Sequence, residues 1–123
     1  MDTKESDRRI CPIEETIKVF GGKWKPSILF HLIEGPCRFN ELKRRVPGIT
    51  QRMLTQQLRV LERDGMVIRE HFHEVTPRVV YSLSELSQSL GPLFASIEKW
   101  MHDYSDKVQN ARIDYDIKNT SID

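Results

Sequence analysis

The stretch RFNELKRRVPGITQRMLTQQLRVLERDG, residues 38–65, decides the fold. Phe39, Leu42 and Val46 recur at spacings of three and four, which gives a short helix one apolar face. Pro47-Gly48 ends that helix, because proline cannot continue it and glycine tolerates the turn. Thr50 is a good N-cap for a second helix. Leu54, Leu58 and Leu61 form its inward stripe, with Met53 and Val60 beside them. Gly65 stands where a helix C-terminal glycine belongs. A helix, a tight turn and a second helix is the helix-turn-helix layout.

The outward residues of the second helix are Gln51, Arg52, Thr55, Gln56 and Arg59, and none is acidic. Arg and Gln carry the paired donors and acceptors that fit guanine and adenine edges in the major groove. Arg38, Lys43 and Arg44, just upstream, suit contacts to phosphates. A polar helix face can also be merely solvated, so the stretch by itself leaves both readings open.

The chain has 123 residues and a formal net charge of +1. That length suits one domain with a core of its own. The small net charge excludes a general polyanion binder, but the charge is unevenly spread. Residues 38–65 hold seven basic side chains against three acidic ones, whereas residues 96–123 hold six acidic against four basic. A basic middle and an acidic tail suit a protein that offers one face to phosphates. No apolar run reaches the length of a membrane span, and MDTKESDRRI lacks the apolar core of a signal peptide. Cys11 and Cys37 do not make a disulfide framework. A cytoplasmic protein is expected, with no membrane partner.

Taken in order, residues 1–9 are charged and expected to be flexible. Cys11-Pro12 opens a helix whose apolar face is Ile13, Ile17 and Phe20, and Gly21-Gly22 ends it. A second helix is expected over Lys23–Glu34, with Trp24, Ile28, Leu29, Leu32 and Ile33 inward and Pro26 in its first turn. Gly35-Pro36 stops it. After Gly65, residues 66–72 are rich in strand formers, and Val79, Tyr81 and Leu83 alternate with more polar neighbours. HEVTPR lies between them, so the two runs read as a β-hairpin wing with His73 and Arg78 near its tip. Arg78 there can enter a minor groove or stay solvated. Ser84 caps a further helix, interrupted at Gly91-Pro92. Leu93, Phe94, Ile97, Trp100, Met101, Tyr104 and Val108 continue at spacings of three and four. That face either covers the same core or meets a second subunit, and its size favours the subunit. Leu93, Ile97, Trp100, Met101 and Tyr104 are the interface candidates. Residues 111–123 are polar and expected to be a flexible tail, which leaves 10–110 as the folded domain.

Several strings in this order resemble the HxlR family of bacterial winged-helix, MarR-like regulators. They are Cys11-Pro12, GGKWKPSILFHL at 21–32, RFNELKRRVPGITQRMLTQQLRVLERDGMV at 38–67, TPRVVYSLSELSQSL at 76–90 and Trp100. Together they span about residues 11–108. The resemblance implies an α+β, mainly helical winged helix-turn-helix with a β-hairpin wing at about 68–80 and a C-terminal dimerisation helix. It implies a cytoplasmic homodimer bound to double-stranded operator DNA as an inverted repeat, with a recognition helix starting at Thr50. It also implies a response to oxidants, quinones or aldehydes through a cysteine placed as Cys11 is, or to a small-molecule effector. Cys37 is not a fixed feature of that family.

Other chemistry is weakly represented. As the cap of a helix, Cys11 would sit where the dipole stabilises thiolate, with Lys4, Arg8 and Arg9 close in sequence. Cys37, between Pro36 and Arg38, is expected to be structural and partly exposed. The histidines and cysteines show neither CxxC nor HExxH spacing. His71 and His73 would share one strand face, which suits a surface ion or plain solvation. Gly21-Gly22-Lys23 is not a phosphate-binding loop, since Trp24 stands where Ser or Thr is required. No catalytic constellation, cofactor or metal is expected. The leading expectation is a dimeric DNA-binding transcriptional regulator; the alternative is a winged-helix protein–protein module without DNA affinity.

Overall fold

The computed structural model describes residues 11–120. Expectations for residues 1–9, including Lys4, Arg8 and Arg9, lie outside the described residues. The chain divides into two compact units, with the boundary between Gln88 and Ser89.

The first unit is built from α1 (Pro12–Phe20), α2 (Lys25–Ile33), β1 (Cys37–Arg38), α3 (Phe39–Arg45), α4 (Gln51–Arg63), β2 (Val67–Phe72), β3 (Arg78–Leu83) and the single turn α5 (Glu85–Gln88). The strands form one antiparallel sheet in the order β1-β3-β2. β2 and β3 make the expected hairpin, with Val67 opposite Leu83, Arg69 opposite Tyr81 and His71 opposite Val79. The architecture is the mainly helical winged helix-turn-helix that the sequence reading expected.

The core is the inward stripe of each helix. Ile28, Leu29 and Leu32 come from α2, Leu42 from α3, and Leu54, Leu58 and Leu61 from α4; Val46, Ile49, Met66 and Val67 close it, all buried. Each such side chain contributes about 1.5–3 kcal/mol on leaving water. The α3–α4 turn depends on Gly48, whose φ of 83° is a left-handed conformation that glycine adopts freely. α4 ends in a Schellman motif: Gly65 N–H donates to Glu62 O and Met66 N–H to Leu61 O. Ser84 then joins the wing to α5. Its hydroxyl donates to Gly65 O at 2.6 Å and accepts from Ser87 N–H at 3.1 Å.

Several details depart from the sequence reading. β1 was not expected; it pairs Cys37 with Tyr81 and Arg38 with Val80. α2 begins at Lys25 rather than Lys23, because residues 22–24 form a turn. Ile33 is exposed, since it falls on the side of α2 away from Ile28 and Leu32. Ile13 and Ile17 are also exposed, and of the apolar face of α1 only Phe20 is buried.

The second unit is one helix, α6 (Gly91–Thr120), of 30 residues. It runs through 111–120, where a flexible tail was expected: from Asn110 to Thr120 the sequence has neither glycine nor proline to stop it. Leu93, Ile97, Trp100, Tyr104, Val108, Ala111 and Tyr115 follow one another at spacings of four, three and four, twice over. That places them on one stripe. No residue of α6 is buried. Among the described residues, no helix is long and apolar enough to cross a membrane.

Candidate nucleic-acid interface

The Thr50 hydroxyl accepts the Met53 N–H at 3.1 Å and so caps α4 at its third residue. The cap fixes where α4 starts and therefore which side chains turn outward. Gln51, Arg52, Gln56 and Arg59 are exposed, while Leu54, Leu58 and Leu61 on the opposite side are buried. With Thr55 these four line a shallow recess on one face of the helix. Thr55 is half-buried and its hydroxyl donates to Gln51 O at 2.8 Å, which leaves its methyl and its acceptor lone pairs for a ligand. The first turn of α4 carries no acidic residue. That turn therefore presents donors and a forked cation with no carboxylate among them, which suits base edges and phosphates alike, and the nearest acid on the helix is Glu62, one turn beyond Arg59.

Lys43 and Arg44 are exposed at the end of α3. Arg45, the third cation of that run, is already engaged. It pairs with Glu41 at 3.2 Å and Glu34 at 3.8 Å, and its Nη1 lies 3.5 Å from Cys37 Sγ. Two of the three cations are thus turned to solvent and one is spent on the fold.

A cleft of about 450 Å³ separates α4 from the wing. Gln51, Thr55, Leu58, Arg59 and Glu62 line it from the helix, and Arg69, Val79 and Tyr81 from the sheet. Arg69 was missed in the sequence. The signal was the alternation of Val67, Arg69 and His71, which puts all three on the sheet face shared with Val79, Tyr81 and Leu83. Arg38 and Arg78 are not brought into this cleft. Arg38 pairs with Val80 and Arg78 with Phe72, which places both on the other sheet face. Arg78 is half-buried and donates to Glu74 Oε1 at 3.3 Å.

Cys11 is exposed and takes the N-cap position of α1, with extended backbone and no side-chain capping bond. Glu14 and Glu15 occupy the first turn that follows. Cys37 is only 2% exposed, not partly exposed as expected, because β1 holds it against Tyr81. Burial and then the Glu41 carboxylate push its thiol above the ordinary range, opposed by Arg45 and assisted by Glu34. On α6, Leu93, Ile97, Trp100, Met101 and Tyr104 are all exposed. The Trp100 and Tyr104 rings lie 5.5 Å apart along the stripe. Among the described residues no group of three or more His, Cys, Asp or Glu converges as metal ligands do.

The chain is 46% identical over 108 residues to YdeP of Bacillus subtilis (strain 168), an uncharacterized HTH-type transcriptional regulator; the match covers 88% of this chain and 84% of that one. The solved structure of the redox regulator HypR in its reduced form superposes with a TM-score of 0.77 at 47% identity, covering 81% of this chain and 99% of that one. HypR in its oxidised form gives 0.70 at 50% identity, covering 76% and 96%. The profile of the HxlR-like helix-turn-helix family matches residues 19–109, and the chain belongs to that family.

Proposed function

We propose that this HxlR-type transcriptional regulator binds an inverted-repeat operator as a twofold homodimer and answers oxidants or electrophiles through Cys11. One observation carries the DNA reading: Thr50 caps α4 so that Gln51, Arg52, Gln56 and Arg59 face outward together while the leucines face the core. Arg52 is assigned bidentate base recognition, with Gln51, Gln56, Arg59 and Thr55 beside it. Lys43, Arg44 and Arg38 are assigned phosphate contacts, and Arg78 a minor-groove contact. No residue is assigned a catalytic role.

The dimer rests on two uncovered apolar surfaces, the α6 stripe and the Ile13 and Ile17 side of α1. Exposed apolar surface of this extent marks an interface. A twofold dimer sets its recognition helices about 34 Å apart, or a multiple of that, to meet successive major grooves. Cys11 begins α1, so an adduct there acts beside the Ile13 surface. That HypR is a redox regulator with reduced and oxidised forms supports an oxidant response for this chain. A coupling of about 1–3 kcal/mol between such a site and DNA changes affinity several-fold to about a hundredfold.

Sequencing the DNA that co-purifies with the protein yields the operator. Gel-shift titrations on that operator, with and without diamide, then compare the wild type with Cys11→Ser and Cys37→Ser. The expected result is a response in the wild type and in Cys37→Ser, absent in Cys11→Ser. A response that survives Cys11→Ser moves the sensor elsewhere. Elution from random DNA at low salt, with no enriched sequence, marks a protein–protein module instead.

A further inference from the structure

We propose that His71 and His73 form a two-histidine chelate for a late divalent transition metal ion on the α4-facing side of the wing. His71 is a residue of β2 and His73 is the first residue past its end, where the chain turns so that the two rings meet edge to face. His71 Nδ1 is 3.2 Å from His73 Nε2, with the ring centroids 4.4 Å apart. Both rings are exposed. Imidazole nitrogens bind such ions at about 2.0–2.1 Å, so nitrogens spaced like these subtend about 100° at a shared ion. That angle lies between the square-planar and tetrahedral values, and the ring contact already sets the two nitrogens at the spacing it needs.

The chemistry selects the ion. Two neutral imidazoles with open positions for water suit Cu²⁺, Ni²⁺ and Zn²⁺, whereas Ca²⁺ and Mg²⁺ require oxygen ligands. At the contact one nitrogen carries a proton and the other a lone pair. When the ion binds, the protonated ring shifts to its other neutral tautomer through solvent, both lone pairs go to the metal, and no net proton is released. The second ring binds intramolecularly, so the chelate is expected to be roughly a hundredfold tighter than one imidazole. His71 stands opposite Val79, on the face that also carries Arg69 and Tyr81. Two positive charges are thereby added to the side of the wing that lines the cleft with Arg59. Only that consequence for DNA rests on the proposed function; the site does not.

The test titrates Ni²⁺ by calorimetry, and Cu²⁺ by electron paramagnetic resonance, into Cys11→Ser protein, so that the exposed thiol does not compete. One ion per chain with two nitrogen couplings is expected. Adding His71→Ala or His73→Ala should weaken binding by about a hundredfold, while His102→Ala leaves it unchanged. Wild-type affinity in the His71→Ala/His73→Ala protein, or loss on His102→Ala, overturns the site. Circular dichroism of each variant verifies the fold. Saturating Ni²⁺ should also tighten binding to random duplex DNA only where both histidines remain. Equal tightening without them overturns the placement of the ion on the DNA side, independently of the chelate.

Discussion

The Arg78 guanidinium carbon lies 4.4 Å from the centroid of the Phe72 ring, directly across the hairpin. Glu74 holds the same guanidinium at 3.3 Å. A cation so placed must leave a carboxylate before it meets a phosphate or a minor groove. Glu74→Gln removes that competitor and leaves the aromatic platform. It should tighten binding to random duplex DNA and steepen the salt dependence by about one unit of slope. Anisotropy titrations at several salt concentrations measure both, and an unchanged slope would leave Arg78 on its ring in the complex.

Arg52 and the α3 cations should separate by sequence dependence. A good bidentate base contact is worth about 1–3 kcal/mol of discrimination. Arg52→Ala should therefore cost more on operator than on random DNA. Lys43→Ala and Arg44→Ala should weaken both alike, because phosphates carry no sequence. An equal loss on the two DNAs for Arg52→Ala would remove it from base readout.

The helix-turn-helix was legible because its signals are local and strong. Apolar residues at three and four, Pro47-Gly48 and Thr50 each act within one turn of chain. β1 was not legible, because two residues carry no periodicity; it exists only through its pairing with β3. The burial of Cys37 follows from that pairing and was hidden for the same reason. Arg69 was obscured because the alternation of β2 is broken by Ile68, an exposed apolar residue. The last ten described residues of α6 were misjudged on polarity, when absence of a helix breaker was the better guide.

Thr50→Ala should destabilise the fold by about 1 kcal/mol, the usual cost of a lost N-cap hydroxyl. The Met53 N–H loses the hydroxyl that accepts it, and the start of α4 frays. Urea melts give the stability change. Operator affinity should fall with it, since Gln51 and Arg52 sit in the frayed turn. A loss of stability without loss of affinity would separate the cap from readout.

Truncation before Leu93 removes the α6 stripe and should give a monomer or aggregate with little operator affinity. Trp100→Asp is the gentler version, placing a carboxylate in the middle of the stripe. Sedimentation velocity reads both. Dimers that persist in either protein would locate the interface elsewhere.

The cysteines should differ in rate and in pH dependence. Cys11 is exposed and Cys37 buried, so a disulfide reagent should modify Cys11 first and Cys37 only as the fold opens. The folded chain retains the Cys37 proton above the ordinary thiol value of 9.0, where the unfolded chain gives it up. The stability this contributes is intact below that pH and is lost as the pH climbs through the folded-state value. Urea midpoints for the wild type and Cys37→Ala should draw together in alkali. A constant gap would show that burial does not hold the proton.

The α6 stripe also has a handedness. Its four-three-four pattern closes after eleven residues, from Leu93 to Tyr104 and again to Tyr115. Eleven residues in three turns is a period slightly longer than that of a straight helix, and longer than the seven-in-two of a leucine zipper. Two copies matched along it would therefore stay nearly straight, with a faint right-handed wrap in place of the left-handed coil. One inserted alanine after Ile97 would rotate the two halves of the stripe by about 100° relative to each other. An insertion of eleven residues would bring them back into phase on a longer rod.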